Sequence, residues 1–198
     1  LKRIFPQENI IVSTNLDYYE TVCKLLPDLN PQQILREPIM RGTAPSLVMT
    51  AFHIRDINPN ANVMVVPSDI VVSDDNDFDV MVEQGLRFAD NNDGLLTIGI
   101  KPTHPETRFG YIQADDEMLD GMYKVRTFTE KPEYDFARIF VDSGEFFWNT
   151  GLFVWNVNSI IAAMTKLLPE MSVRLDTIFQ QEPDRDKRRA ALYECYES

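Results

Sequence analysis

Short, almost wholly apolar runs alternate with amphipathic helical segments along this chain, and that alternation restricts the fold more than any other feature. Ile10-Ile11-Val12-Ser13 has the look of a buried strand. Tyr18, Val22, Leu25 and Leu26 then recur at helical spacing until Pro27 halts them. Gln33-Ile34-Leu35 is a second short strand. Thr43 stands where it can cap a helix whose buried stripe is Ala44, Leu47, Val48 and Ala51, with Pro45 tolerated in the first turn. Ala61 to Val66 is a third strand, ending at Pro67. Phe78, Met81, Val82, Leu86 and Ala89 mark the next helix, and Gly94 to Ile100 a further buried strand. Repeated β-α units predict an α/β protein with a mixed, mostly parallel sheet and helices on both faces.

After Lys101 the pattern changes. Phe109 to Gln113 and Met122 to Thr129 read as strands with no helix between them, hence antiparallel additions at an edge. A short helix is expected around Phe136, Ile139 and Phe140. Phe146 to Trp155 reads as a long aromatic strand. Val157, Ile160, Ile161, Met164, Leu167 and Leu168 form a helical stripe, and the remainder, broken at Pro169 and Pro183, reads as helical. Leu1 to Pro6 reads as the last turn of a helix and carries no signal-peptide pattern. Nothing resembles a linker, repeat or low-complexity tract, so residues 1–198 read as one domain.

Composition narrows the function. The 19 basic and 31 acidic residues give a net charge of −12, which argues against nucleic acid or an anionic membrane surface as partner. No apolar stretch reaches membrane-helix length. Cys23, Cys195, His53 and His104 are too scattered for a zinc site, and two thiols of this kind fit a cytoplasmic protein. The 8 glycines include no G-x-G-x-x-G or G-x-x-x-x-G-K spacing.

Four stretches could carry chemistry. Ser68 and Asp69 follow a buried strand, at the sheet edge where open α/β folds bind ligands. Asp69 could hold Mg²⁺ through a hard oxygen, or equally cap the next helix. Glu37-Pro38 and Arg41 to Pro45 form a tight loop opening a helix. Its backbone N–H groups suit a phosphate or base edge, or the loop is an ordinary cap with Arg41 in solvent. Glu130 and Lys131 end a strand, where lysine suits a phosphate and glutamate suits sugar hydroxyls, or the two form a surface ion pair. Asn149 and Gly151 interrupt an apolar strand; glycine there signals close approach of a ligand or backbone, and asparagine can both donate and accept. His53 reads as structural, His104 as either, and Asp184 to Arg189 as a solvated helix face.

Taken together, these stretches resemble the mannose-1-phosphate guanylyltransferases (GDP-mannose pyrophosphorylases). The similarity runs in order through Glu37-Pro38 with Arg41 to Pro45, Val65 to Asp69, Gly99 to Thr103 with Pro105 to Thr107, Gly110 to Ile112, Phe128 to Pro132, and Phe147 to Trp155. The resemblance implies a Rossmann-like α/β/α sandwich of the nucleotidyltransferase type. It implies that GTP and mannose 1-phosphate give GDP-mannose and pyrophosphate with Mg²⁺, in the cytoplasm, with a homodimer as candidate assembly. Carried over by position, Asp69 would be the metal ligand and, with Lys131, the catalytic pair. Arg41, Thr43, Ala44, Pro45 and Ser68 would bind nucleotide. Gly110, Tyr111, Glu130, Lys131 and Asn149 would hold the sugar phosphate, with Gly151 leaving room for it.

The chain departs from that family at Gly42, where Asn is usual, at Ile70, where His is usual, and at Arg108, where Gly is usual. The family's glycine-rich triphosphate signature would lie before Leu1 and a second metal-binding Asp after Ser198, so this stretch alone is expected to be inactive. The alternatives are a degenerate sugar-nucleotide-binding regulator, motivated by those three substitutions, and a pyrophosphorylase for another sugar nucleotide.

Overall fold

A computed structural model of the chain describes residues 1–182 and 184–197. Its strands and α-helices run, in chain order, β1 (Val12–Asn15), α1 (Tyr19–Leu25), β2 (Ile34–Glu37), α2 (Thr43–Ile57), β3 (Asn62–Val65), α3 (Asp75–Asn91), β4 (Leu96–Ile100), β5 (Tyr111–Leu119), β6 (Met122–Thr129), α4 (Tyr134–Ser143), β7 (Phe146–Asn156), α5 (Val157–Leu167), α6 (Pro169–Gln181) and α7 (Arg185–Glu197). They form two compact units: a terminal unit, Leu1–Ala61 with Asn156–Ser198, and a central unit, Asn62–Trp155.

In the terminal unit β1 and β2 pair in parallel, Val12 opposite Ile34 and Asn15 opposite Glu37. β1 begins two residues later than the apolar run suggests. The Gln33 amide donates to the carbonyls of Gln7 and Ile10 at 2.6 and 2.7 Å, holding the segment before β1 in a separate turn. α2 buries Val48, Met49, Ala51 and Phe52. Val48, Met49 and Phe52 share a core with Leu35, Leu175, Phe179, Leu192 and Tyr196. Thr43 is the first helical residue, and no side chain caps this end. Gly42, at φ +92°, takes the cap position that the sequence suggests for Thr43, and that left-handed turn strongly favours glycine. The helical run breaks at Pro169 as expected, because proline cannot donate to the preceding turn. The second expected break, Pro183, lies outside the described residues.

The central unit is a five-stranded sheet, ordered β3-β7-β5-β6, with β4 also on β7. β4 and β5 both run antiparallel to β7, and β6 antiparallel to β5. The expectation of a mostly parallel sheet is therefore corrected. Helical and strand periodicities report which segments are buried, not which distant strand each will pair with, and β4 pairs with a strand much later in the chain. The edge reading of β5 and β6 holds. α3 is capped by the Asp74 carboxylate, which accepts from the N–H groups of Asn76 and Asp77. In α4, the helix expected around Phe136, Ile139 and Phe140, only Ala137 is fully buried, while Phe136 and Ile139 are exposed. Phe140 packs against Phe146, ring centres 4.1 Å apart.

Candidate functional site

Strand register assembles the central-unit residues. Tyr111 pairs with Thr129 on one side and Trp148 on the other. In antiparallel pairing, the preceding residue, Gly110, therefore falls beside Glu130 and Asn149. The Gly110 carbonyl accepts the Asn149 N–H at 2.8 Å. A Cβ on Gly110 would lie 2.6 Å from a Glu130 carboxylate oxygen and 3.2 Å from the Phe128 ring. The Glu130 carboxylate sits over the bare α-carbon, where any side chain on residue 110 would displace it.

Lys131 adopts a left-handed backbone, φ +46°. Its N–H donates to the Phe109 carbonyl at 3.2 Å, fixing that turn. A lysine so held costs about 1 kcal/mol or more, and such strain collects at functional positions. The Lys131 Nζ lies 3.4 Å from Glu130 Oε1, with both side chains more than half exposed. The ion pair and the substrate-facing role are thus compatible: a screened surface pair is readily exchanged for a ligand.

Asn149 sits where β7 bulges. Thr97 faces Phe153 but Gly99 faces Asn149, so β7 carries extra residues there. The Asn149 Oδ1 accepts from Thr97 Oγ1 at 3.3 Å and from the Gly151 N–H at 3.2 Å, which orients the amide NH₂ group as the remaining donor. Gly151 has φ +73°, and a Cβ on it would meet Pro67 Cγ at 2.9 Å. Its bareness accommodates Pro67 and seats the bulge of β7 against the Pro67-Ser68-Asp69 turn. Tyr111 differs from expectation. Its side chain is completely buried, and its hydroxyl accepts the Glu106 N–H at 2.9 Å, so it supports the loop before Gly110 instead of touching a ligand.

Ser68 and Asp69 are exposed in the turn after β3. Asp69 does not cap α3, since Asp74 does, and that alternative falls away. Among the described residues no cluster of three or more His, Cys, Asp or Glu could hold a metal. One exposed carboxylate nonetheless fits Mg²⁺, which usually keeps waters and shares one or two carboxylates with substrate phosphates rather than filling a protein cage.

Arg108 is clamped by Glu106 through Nε and Nη2 at 3.1 and 2.8 Å, and its backbone N–H bonds the same carboxylate. These contacts hold the Glu106 carboxyl well below the usual range, at about 2. His104 lies edge-on to Trp148, ring centres 5.0 Å apart.

The other expected residues belong to the terminal unit. Arg41 Nη2 donates to the Tyr196 carbonyl at 2.7 Å, and the Tyr196 hydroxyl donates to the Pro45 carbonyl at 3.0 Å. Arg41 is therefore not simply solvated. A cavity of about 550 Å³ lies alongside, lined by Arg41, Pro45, Met171, Arg174, Cys195 and Tyr196. Glu37 ends β2 only 7 % exposed, with Oε1 unpartnered, and burial raises its pKa. The sequence alone gives Glu37 no role of its own. Its signal was a carboxylate closing the apolar strand Ile34-Leu35.

Comparison with known proteins follows the same lines. A mannose-1-phosphate guanylyltransferase of Escherichia coli is 36% identical over 121 residues, covering 58% of this chain and 26% of that protein. One from Salmonella typhimurium is 35% identical over 140 residues, covering 70% and 29%. The chain thus spans less than a third of the length of these curated relatives. A crystal structure from Thermus thermophilus, described as a mannose-1-phosphate geranyltransferase, superposes with a TM-score of 0.83 at 25% identity, covering all of this chain and 54% of that one. A Helicobacter pylori structure described as a mannose-6-phosphate isomerase, at 22% identity and TM-score 0.73, covers 87% and 65% and shares the fold. The sequence profile described as nucleotidyl transferase matches residues 6–187. A match running through both units over that length shows that the chain belongs to the nucleotidyl transferase family.

Proposed function

We propose that residues 1–198 are one catalytic domain of a cytoplasmic, Mg²⁺-dependent enzyme that makes GDP-mannose and pyrophosphate from GTP and mannose 1-phosphate. The observation that carries this reading is the convergence of Gly110, Glu130 and Asn149 beside a strained Lys131. That set offers a carboxylate, an amide and a cation to one small polyhydroxylated phosphate. The names of the curated relatives support the same substrate pair.

In this reaction a phosphate oxygen of the sugar phosphate bonds to the α-phosphorus of GTP, and the bond from that phosphorus to the bridging oxygen of pyrophosphate breaks. No protein nucleophile is needed; positioning and charge do the catalysis. Bound Mg²⁺ would supply positive charge between the approaching anions, with Asp69 as its protein ligand. Lys131 brings a compact cation to the sugar's phosphate. Glu130 accepts from the sugar hydroxyls, and the oriented Asn149 NH₂ donates to them. On the nucleotide side, the first N–H groups of α2, at Thr43 and Ala44, point toward incoming acceptors at the positive end of the helix.

The test is pyrophosphate release by the full-length protein with Mg²⁺, mannose 1-phosphate and each nucleoside triphosphate in turn. GTP is expected to be preferred, and Glu130→Gln to weaken the sugar phosphate without weakening GTP. Folded protein showing no turnover with any sugar phosphate overturns the reading.

A further inference from the structure

The proposed nucleotide loop is tied to the far end of the described chain by two hydrogen bonds, and both go to a single residue. Arg41, at the head of the loop, donates to the Tyr196 carbonyl; Pro45, at its foot, accepts from the Tyr196 hydroxyl. The partners lie 155 and 151 residues apart in sequence. The Tyr196 carbonyl lies in the last turn of α7, where carbonyls lack helical partners and the dipole is negative, so a guanidinium is well placed to cap it. The ring itself is 3% exposed, in the core with Val48 and Phe52 of α2. Between the two bonds lies Gly42, at φ +92°, and a glycine with no Cβ gives the loop little conformational preference of its own.

We infer that Tyr196 is a positioning residue for the nucleotide: it holds the Arg41–Pro45 loop at both ends in the shape that presents the α2 N–H groups to the base. This rests on the proposed function. Burial and the neighbouring Glu37 carboxylate push the Tyr196 phenol upward, so it remains a donor throughout the physiological range. One hydrogen bond of this kind is worth about fivefold in the population of the competent loop, and apparent affinity falls by the same factor.

The experiment compares wild type with Tyr196→Phe, which keeps the ring and removes the donor, and with Leu192→Ala, which loosens the same α7 core contact and leaves both bonds intact. Amide hydrogen exchange of residues 41–48 and the Kd for GTP are measured on each. Tyr196→Phe is expected to speed exchange in the loop and to weaken GTP about fivefold, with the KM for mannose 1-phosphate unchanged. Leu192→Ala is expected to lower Tm and leave GTP affinity within twofold. Unchanged loop exchange in Tyr196→Phe, faster exchange with unchanged GTP affinity, or an equal loss of GTP affinity in Leu192→Ala each overturns the inference. Wild type that binds no GTP while its loop is protected overturns the functional reading, and the inference with it.

Discussion

Replacing Gly110 by alanine separates the proposed sugar-phosphate site from the fold. The new Cβ would stand 2.6 Å from Glu130 Oε2, well inside the 3.4 Å at which ordinary contact begins, and 3.2 Å from the Phe128 ring. The ring need move only a few tenths of an ångström. The carboxylate must swing away, and it can, because it is more than half exposed. Alanine also restricts the unfolded chain, so the opposing terms leave stability changed by no more than about 1 kcal/mol, or about 3 °C in Tm. Binding responds differently. A hydrogen bond that a charged carboxylate accepts from a substrate hydroxyl is worth about 1.5–3 kcal/mol, which is about 10- to 150-fold in affinity. Initial-rate pyrophosphate release against mannose 1-phosphate should show KM rising by that factor, with the KM for GTP unchanged. Two results refute the reasoning: an unchanged sugar-phosphate KM in a folded variant, or a Tm loss above about 10 °C, which would make Gly110 a structural rather than a site residue.

Gly151→Ala should behave in the opposite way, because backbone and Pro67 both resist it: a cost of about 1–3 kcal/mol is expected, seen as a Tm lower by about 3–10 °C. Lys131→Gly relieves the left-handed strain, so Tm should stay level or rise while turnover falls by about 100-fold or more, measured by thermal unfolding and pyrophosphate release on the same preparation. Burial raises the folded pKa of Glu37 above its unfolded value, so its carboxylate is neutral and harmless at low pH and weakens the fold as pH rises through that raised value. Glu37→Gln should therefore lose less Tm than wild type as pH is raised from the acid side through and above the ordinary carboxylate range, read by thermal unfolding at stepped pH. Arg108→Gly should leave the sugar-phosphate KM within twofold, since the arginine is held by Glu106, while NMR titration should show the Glu106 carboxyl moving up from about 2.

Much of the site was legible in the chain because each element carries a local interruption. A glycine and an asparagine inside β7, a lysine-proline pair at the end of β6 and an aspartate after β3 all stand out against apolar strands. What these residues do was less legible. Tyr111 looked like a ligand contact because it adjoins Gly110, but alternation turns it into the core. The spacing marks Gly151 as a point of close approach, and only the fold shows that Pro67 is the neighbour packed on its bare α-carbon. Thr43 looked like a cap because threonine often is one, yet Gly42 makes the turn.

Burial periodicity and the order of short motifs were enough to establish the α/β class, nearly every helix, and the family to which the chain belongs, because these depend on residues close in sequence. Strand direction, the meeting of Gly110 with Glu130 and Asn149, and the two bonds from Tyr196 to its distant loop were decided by the tertiary structure. Each joins segments that no local spacing relates, and which partners meet is settled by the packing of the whole chain.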